Sequence, residues 1–434
     1  MKKIIIIAIC IAIVLGFLFW KFSPLLFSKP KPTGPITLTY FGLWEDDNLI
    51  KPVLDSYHQQ NPNITINYVR QSSVNYRTRV QTQIRAGQGP DVFMMHNSWL
   101  PMFDTDLVAA PASIFTLNDY KTLFYPVAAD SFIKDGKIYG APMEVDGLGL
   151  FINEDMLNAI GGKSPKTWKE FIDTATRMTV KDETGIKTSG AALGSTGNVD
   201  HWSDILALLL MQQQGVDFNN LTTDDAATVF RFYTGFVTDP TNKTWDTNLP
   251  SSTQMFIEGR LGFYFAPSWR AHDLRIANTN LKFKIVPVPQ LSVKQVAYGT
   301  FWGQAVSKNS KNIDEAWKFV KYLTSQEAER LAYQEASKIR LFGEPYSLVS
   351  LAPEVSQDPI VGAFVSQGPI YKSWYLSSNT FDLGINDEMI KYFEDGINAT
   401  LSGTDPQIAL QTVDMGVKQV LDKYTKPQIT TTTK

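Results

Sequence analysis

The sequence predicts an α/β protein with a parallel sheet, divided into two or three domains. Its 434 residues are too many for a single core, since one domain takes roughly 150 residues. Strand and helix patterns alternate from residue 36 to residue 95, in the order strand, helix, strand, helix, strand. That order is typical of a parallel sheet whose two faces are covered by helices.

The first elements are indicated by the spacing of their apolar residues. ITLTYF at 36–41 alternates between apolar and polar residues, as a half-buried strand does, and the apolar residues from Ile50 to Tyr57 recur at helical spacing. The pattern then predicts a strand at 64–69, a helix at 76–86 and a strand at 92–95. These five elements form the predicted first part of the fold.

Five further elements follow from local signals. A short hairpin and then a glycine-spaced strand are predicted over 135–153, and Thr167 is the expected N-cap of a helix over 168–178. The stretch 255–270 combines a helix end, a glycine turn, the buried strand LGFYFA and a Pro-Ser-Trp-Arg turn. One long helix is predicted over 314–335, with its apolar residues on one face.

The N-terminus has the pattern of a membrane anchor. Lys2 and Lys3 precede an unbroken apolar run to residue 20, which is about the shortest length that spans a bilayer. The lysines orient the chain so that everything after the run lies outside the cytoplasm. We therefore predict an N-terminal transmembrane anchor or signal segment at 1–21 and a linker at 22–35, with the binding domain on the extracytoplasmic side of the cell membrane.

Two alternatives for this segment stay open. Signal-peptide cleavage is less favoured, because no small-x-small site follows the apolar run. Lipid attachment at Cys10 is also less favoured, because Ile9 precedes the cysteine and the apolar run continues beyond it. Cys10 is the only cysteine, so no disulfide is expected in the rest of the chain. Residues 426–434 have nothing to bury and are expected to be disordered.

Composition narrows the class of ligand. The net charge of -3 and the pI near 5.9 argue against a nucleic-acid surface, which needs a dense basic face. The four histidines lack metal-ligand spacing, and no nucleotide-binding motif appears. No metal and no cofactor are therefore expected. The chain has 10 Trp, 17 Tyr and 26 Phe, and those flanked by polar residues need an explanation other than core packing.

Two loops carry a tryptophan beside polar side chains. Ligands bind outside the carboxyl ends of parallel strands, where Trp44 stands with Glu45 and Asp46, and Trp99 follows His96 in the next such loop. Each tryptophan alone could equally be a packing residue. Two at equivalent positions favour binding, because a ring face stacks on the C–H face of a sugar while carboxylates and amides bond its hydroxyls.

Two carboxylates and a further tryptophan extend the candidate site. Glu144 and Asp146 are two residues apart on the predicted strand, so both side chains are expected on one face. Neither has a neighbouring His, Cys or Lys, which suggests hydroxyl binding before catalysis. Trp269 and Arg270 stand at the carboxyl end of the strand LGFYFA. Trp302, between two glycines, is the last candidate in this group.

Five stretches occur in an order that carries a resemblance. They are AGQGPDVFMM, DGKIYGAPMEVDGLGLFINEDML, TWKEFIDTATRM, FIEGRLGFYFAPSW and NSKNIDEAWKFVKYLTSQEAERL. With these motifs in this order, residues 36–424 resemble the extracellular solute-binding proteins of ABC importers, in the maltose-binding-like sugar class. The resemblance implies a two-lobe periplasmic-binding-protein-like fold, in which ligand binds in a cleft that closes by a hinge motion.

The resemblance also implies how the chain divides between the lobes. Lobe one would comprise residues 36–145 and 288–324, and lobe two residues 146–287 and 325–425. The chain would cross between them near residues 145–150, 286–290 and 323–327. The hinge would lie at Val145, Gly147, Gly149 and Pro287, with the glycines letting the backbone bend.

Site residues are carried over where the motifs match. Glu45 and Asp46 match a polar pair that reaches ligand hydroxyls, Asp146 matches an acidic hydrogen-bonding residue at the first crossing, and Trp269 matches a stacking tryptophan. Trp374, in the aromatic-polar turn 371–381, would supply a further platform. Where maltose binders carry an aromatic and an Asp-Arg pair after the sequence GPD, this chain has Met95 and then Ser98-Trp99. The identity of the sugar therefore stays open.

The predicted function is substrate capture for an ABC importer. A monomer would bind a saccharide, with an oligosaccharide favoured, and deliver it to permease subunits in the membrane. A polyol, glycerophosphodiester or peptide binder of the same fold is the alternative. A surface adhesion protein and a glycoside hydrolase are less favoured. A hydrolase needs two carboxyls on opposite sides of a bond, which neighbours on one strand cannot easily provide.

Overall fold

The computed structural model describes residues 34–291 and 294–425. The predicted anchor at 1–21, most of the predicted linker and the predicted tail at 426–434 lie outside the described residues. Within the described ranges, no helix is both long and apolar enough to cross a membrane.

The described chain alternates between strands and helices along most of its length. The strands are β1 Ile36–Gly42, β2 Ile64–Arg70, β3 Val92–His96, β4 Ile133–Lys134, β5 Lys137–Ile138, β6 Ala141–Pro142, β7 Gly149–Asn153, β8 Val180–Asp182, β9 Gly185–Ala191, β10 Leu261–Ala266, β11 Phe283–Val286, β12 Ala297–Tyr298, β13 Trp302–Val306 and β14 Tyr371–Lys372.

The helices are α1 Asp47–Gln60, α2 Tyr76–Arg85, α3 Leu100–Phe103, α4 Leu117–Leu123, α5 Pro126–Phe132, α6 Glu154–Ala159, α7 Trp168–Met178, α8 Trp202–Gln212, α9 Asp224–Thr238, α10 Ser252–Ile257, α11 Arg270–Ala277, α12 Ile313–Leu323, α13 Gln326–Ser337, α14 Ala352–Val355, α15 Val361–Gln367, α16 Ile385–Leu401 and α17 Pro406–Thr425. Two short 3-10 turns, Val349–Leu351 and Gly368–Ile370, precede α14 and β14.

The first lobe is built on a five-stranded sheet with the order β2-β1-β3-β13-β6. β1 runs parallel to both β2 and β3, which confirms the predicted strand-helix-strand unit at 36–95. The sheet is mixed rather than wholly parallel, because β13 pairs antiparallel with β3 and with β6. β13 joins this sheet only after the chain has formed the strands β7 to β11 of the second sheet, and it runs in the direction opposite to β3.

The second lobe is built on another five-stranded sheet, with the order β11-β7-β10-β9-β8. The predicted strand LGFYFA is its central strand β10, and all six residues are buried. The predicted helix over 168–178 is confirmed as α7. The Thr167 side chain accepts from the backbone N–H of Glu170, whose own side chain bonds back to the N-cap backbone. This reciprocal pair satisfies two N–H groups that the first helical turn leaves without partners.

The hairpin predicted near residue 135 is confirmed as β4 and β5, with Asp135 and Gly136 in the left-handed conformation of its turn. The strand predicted to follow it begins later than expected, at Gly149. Glu144 and Asp146 therefore lie in an extended crossing segment before the strand.

Three chain segments run side by side between the lobes. The N–H of Leu148 donates to the carbonyl of Tyr298 at 2.9 Å, and the N–H of Thr300 donates to the carbonyl of Asp146 at 3.0 Å. On the other side, the N–H of Gly299 donates to the carbonyl of Lys372 at 2.8 Å, where β12 pairs with β14. The first two segments cross between the sheets, and the third is held beside them.

The prediction of a single helix over 314–335 is wrong. The chain forms two helices, α12 and α13, because Ser325 caps the second one by accepting from the N–H of Ala328. α13 lies against α1, where Ser56 and Gln60 both donate to the Glu327 carboxylate, at 2.8 and 2.7 Å. Residues 326–337 thus pack beside the first sheet, although the resemblance implied that the chain leaves lobe one near residue 323.

Candidate functional site

A cavity of about 350 Å³ lies between the two lobes. It takes one wall from the loop after β1 and the start of β13, and another from the loop after β10. Six of the sequence-predicted site residues line it, namely Trp44, Glu45, Glu144, Asp146, Trp269 and Trp302. The carboxyl ends of strands from both sheets therefore meet at one cleft, as expected for sheets of this type.

Trp44 and Trp302 form the aromatic wall of the first lobe. The Trp44 side chain is 39% exposed, and its ring meets that of Trp302 edge-to-face, with centroids 5.6 Å apart. Trp302 is held in place by the antiparallel pairing of β13 with β3, which sets it opposite His96. An exposed ring fixed by its neighbours is well suited to stack on a ligand.

Trp99 does not line the cleft. It is fully buried, packs edge-to-face against Trp302 at 4.9 Å and stacks on Phe103 at 6.0 Å. The packing interpretation, which the sequence left open, therefore applies to this tryptophan. Its contribution to the site is indirect, because it supports the ring of Trp302 from behind.

Trp269 supplies the aromatic group of the second lobe. The Arg270 guanidinium lies 4.3 Å from the centre of the Trp269 ring and pairs with Asp273 at 2.9 Å. Arg270 thus covers part of the tryptophan ring and does not itself line the cavity. On another side, the His201 ring meets Trp269 edge-to-face at 5.8 Å.

Asp46 and Trp374 lie away from the cleft. Asp46 precedes the first turn of α1 and forms an ion pair with Arg70. Trp374 packs against Phe218, with ring centroids 4.5 Å apart, and lines a separate cavity of about 300 Å³ together with Tyr375. The expected direct contacts of Asp46 and Trp374 with a ligand in the cleft do not agree with this geometry.

A guanidinium binds two of the cleft carboxylates. Arg340 donates through one terminal nitrogen to both carboxylate oxygens of Glu45, at 2.9 and 3.0 Å, and through the other to Glu344 at 2.8 Å. Burial raises the pKa of Glu344 to about 7, against the opposing effect of Arg340. Burial, followed by the charges of Glu344 and Glu45, raises the pKa of Glu144 well above its usual range.

Asp146 connects the crossing segment to the loop that carries Trp269. Its carboxylate accepts from the N–H of Ser268 at 3.0 Å, from the Ser268 hydroxyl at 2.8 Å and from the N–H of Gly147 at 2.7 Å. Burial raises its pKa to about 7, although these hydrogen bonds act in the opposite direction. Asp146 therefore positions the Pro267–Trp269 turn as well as lining the cavity.

Two buried histidines on the cavity wall are neutral at physiological pH. Burial lowers the pKa of both His96 and His201 to about 3. His96 bonds to the hydroxyls of Ser98 at 2.7 Å and Thr300 at 3.1 Å. Neither imidazole adds positive charge to the cleft. The charged groups that line it are therefore the guanidinium of Arg340 and the surrounding carboxyl groups.

The glycines of the predicted hinge are required by close packing. A Cβ atom on Gly147 would lie 2.2 Å from the Tyr298 carbonyl oxygen, and one on Gly149 would lie 2.8 Å from the Phe364 ring. Neither glycine has positive φ. Val145 is buried beside them, whereas Pro287 is exposed at the end of β11. Neighbouring segments thus approach the backbone of the crossing segment so closely that no side chain fits at Gly147 or Gly149.

A strap at residues 377–384, like Arg340 and Glu344, supplies cleft residues that the sequence analysis did not single out. Ser378, Asn379 and Phe381 line the cavity, and the Phe381 side chain is 45% exposed. Asn379, Phe381 and Leu383 all have positive φ, of 57°, 51° and 45°, a conformation that costs energy for residues with side chains and clusters at functional sites. The sequence marked the aromatic-polar turn 371–381, which includes the first part of this strap, but it singled out Trp374 and not these three residues.

The strap is held by both lobes. Arg77, on helix α2 of the first lobe, donates to the carbonyl of Asp382 at 2.6 Å. The N–H of Ser378 donates to the Asp204 carboxylate at 3.1 Å, at the start of helix α8 in the second lobe. These contacts fix the unusual backbone and place the Phe381 ring at the cavity.

Two α/β lobes joined by narrow crossing segments, with rings and carboxylates facing one cleft, define a class of two-lobe ligand-binding proteins. The family described as bacterial extracellular solute-binding proteins matches residues 44–330. The chain belongs to this family, and its described fold and cleft are those of a solute-binding protein.

Individual relatives are distant in sequence but similar in fold. A putative binding protein of Brucella abortus is 23% identical over 284 residues, 62% of this chain and 67% of the relative. The maltotriose-binding protein of Pyrococcus abyssi is 21% identical over 328 residues, 73% of this chain and 67% of the relative. A cyclo/maltodextrin-binding protein, solved in complex with maltotetraose, is 17% identical with a TM-score of 0.74, and covers 92% of this chain and 100% of its own.

Proposed function

We propose that this protein is the extracytoplasmic substrate-binding component of an ABC importer, and that it captures a saccharide in the cleft. The observation that carries the proposal is that tryptophans from both lobes, Trp44 and Trp269, line one cavity of about 350 Å³ together with carboxylates. Rings stack on sugar C–H faces while carboxylates accept hydrogen bonds from hydroxyls. Membership of the solute-binding family and the saccharide-binding relatives support the same assignment.

The saccharide is bound by contacts from both lobes. Trp44 and Trp302 stack on it from the first lobe and Trp269 from the second, while Glu45 and Glu144 accept from its hydroxyls. A ligand that touches both lobes stabilises the closed form relative to the open one, because only the closed form makes all of these contacts. The crossing segment around Val145, Gly147 and Gly149, together with Pro287, accommodates the motion.

The closed form then docks on a permease in the membrane, which receives the saccharide. The segment 1–21 anchors the protein, as a monomer, on the extracytoplasmic side. Residues 36–145 and 288–324 form the first lobe in this proposal, with helix α13 added to it because that helix packs on α1. The remaining residues up to 425 form the second lobe.

Calorimetric titration of the full-length protein in detergent tests this proposal. The probes are glucose, maltose, maltotriose, maltotetraose, cellotriose and mannotriose, with a polyol and a tripeptide as non-sugar probes. We expect at least one saccharide to bind and both non-sugar probes to fail. Binding of the polyol or the tripeptide, with no saccharide bound, would show that the ligand class is wrong.

Trp269→Ala tests the assigned role of the second-lobe ring. We expect affinity for the bound saccharide to fall by roughly tenfold or more, since stacking and burial of one large ring are together worth about 1.5–3 kcal/mol. Ile276→Ala is the matched control, because Ile276 is 83% exposed on the helix that follows Trp269 and lies outside the cavity. Equal saccharide affinities for the two variants would show that Trp269 does not contact the ligand.

A further inference from the structure

A narrow annex adjoins the cleft on the first-lobe side. It has a volume of about 60 Å³, enough for a small group and too little for a sugar ring. Six residues line both the cleft and the annex, namely Trp44, Glu45, Glu144, Trp302, Arg340 and Glu344. A ligand in the cleft can therefore extend one small substituent into the annex.

Carboxyl groups outnumber cations at this junction. Three carboxyl groups, those of Glu45, Glu144 and Glu344, line it together with one guanidinium, that of Arg340. Arg340 donates to Glu45 and to Glu344, and among the described residues the Glu144 side chain has no hydrogen-bond partner. Burial disfavours an ionised Glu144, as its raised pKa indicates. A positively charged ligand group would remove that penalty.

A second, uncharged acceptor faces the annex without a partner. Gln304, on strand β13, is 2% exposed and lines the annex. Its side-chain oxygen has no hydrogen bond within the described part of the chain. Burying an acceptor without a donor costs free energy. A ligand group that donates a hydrogen bond to this oxygen would remove that cost. This observation is independent of the charge count and indicates the same kind of group.

Aromatic rings complete the surroundings. Trp44 and Trp302 belong to both the cleft and the annex, and their rings meet at an interplanar angle of 70°. The face of a tryptophan attracts cations, and such rings combined with carboxylates are a common way to bind ammonium groups. The junction therefore offers a carboxyl group whose ionised form a bound cation would stabilise, an unpartnered acceptor and two rings.

We propose that the saccharide bound by this cleft carries an ammonium group, which lies between Glu144, Gln304 and the rings of Trp44 and Trp302. The ligand class is an amino sugar or an amine-bearing oligosaccharide. The inference rests on the proposed saccharide function and narrows it. The ammonium donates to Glu144 and Gln304, while Arg340 keeps its two carboxylate partners.

Two matched pairs of probes test the proposal in the full-length protein. The β-1,4-linked trimer of glucosamine is compared with cellotriose, and glucosamine is compared with glucose. Each amine-bearing member has the size of its neutral partner. In at least one pair we expect the amine-bearing member to bind at least about tenfold more tightly, which is about 1.4 kcal/mol.

Variants of the junction separate charge from general binding. Glu144→Gln is expected to abolish the preference for the amine: the affinity for the amine-bearing member should fall about tenfold more than the affinity for the neutral member. Gln304→Leu should reduce the same preference, and it serves as a second test if Glu144→Gln does not fold. Glu183→Gln, on an exposed turn far along the second sheet, is the matched control and should retain the preference.

Three results would overturn the inference. They are equal or tighter binding of the neutral member in both pairs, an amine preference that survives in both Glu144→Gln and Gln304→Leu, and failure of all four probes to bind. The first result leaves the saccharide function intact, since neutral sugars still bind. Binding of a non-sugar probe alone would instead refute the saccharide function itself.

Discussion

Asp146→Ala is expected to destabilise the protein by releasing the turn that carries Trp269. The Asp146 carboxylate accepts from the N–H and the hydroxyl of Ser268, and Ser268 is fully buried. Each donor left without a partner costs roughly 1–3 kcal/mol. Two such donors give an expected loss of about 3 kcal/mol in the free energy of unfolding at about pH 5.

The loss should be smaller at higher pH. Burial raises the pKa of Asp146 to about 7, so the folded state retains a proton that the unfolded state releases near its ordinary pKa. The wild-type carboxyl therefore contributes most below the unfolded pKa, and this contribution is lost as the pH rises through about 7. At about pH 8 the difference in free energy of unfolding between wild type and Asp146→Ala should accordingly be smaller than at about pH 5.

Urea unfolding followed by tryptophan fluorescence measures both effects. Asp173→Ala is the control, since Asp173 forms an exposed pair with Lys169, and such pairs are worth under about 1 kcal/mol. Asp146→Asn keeps one acceptor and cannot ionise, so it should lose less and should lack the pH dependence. Unfolding of Asp146→Ala at the same urea concentration as the control, at both pH values, would refute this account of the turn.

Three further predictions concern separate parts of the chain. Gly147→Ala should lower the free energy of unfolding by roughly 1–3 kcal/mol, because its Cβ would lie 2.2 Å from the Tyr298 carbonyl oxygen; an unchanged urea midpoint would contradict this. Trp99→Ala should lower the free energy of unfolding by roughly 3–5 kcal/mol. Trp44→Ala should weaken saccharide binding and leave the urea midpoint nearly unchanged. A large loss of stability in Trp44→Ala, with none in Trp99→Ala, would contradict both assignments. Burial raises the pKa of Glu329 to about 8, so its contribution to stability is present below its unfolded pKa and is lost as pH rises through about 8. Glu329→Gln should flatten this part of the stability-pH curve, and an unchanged curve would refute the assignment.

Local sequence signals predicted many elements of the fold. The alternation at 36–41, the helical spacing after Ile50, the Thr167 capping pair and the strand LGFYFA all appear where the spacing indicated. Each of these signals depends on residues close together in the chain, which determine backbone conformation directly. The long helix over 314–335 was wrong because Ser325 satisfies the first turn of a new helix better than it continues the old one.

The site was predicted less completely, because exposure depends on what packs on a residue. Trp44 and Trp99 follow strands in equivalent loops, and their local sequences give no reason to treat them differently. Trp302 packs against the buried Trp99, and it arrives there on β13, about 200 residues further along the chain. Only that distant strand makes one tryptophan part of the core and leaves the other partly exposed at the cleft.

The sequence by itself determined the alternation of strands and helices, the loops at strand ends and most of the rings and carboxylates that meet at the cleft. Only the tertiary structure decided that Arg340 binds Glu45 and Glu344, that Asp146 holds Ser268, and that the strap places Phe381 at the cavity. These contacts join residues far apart in the chain, and no local spacing encodes them. Backbone conformation follows from neighbours in sequence, whereas burial, charge pairing and the shape of a cleft follow from neighbours in space.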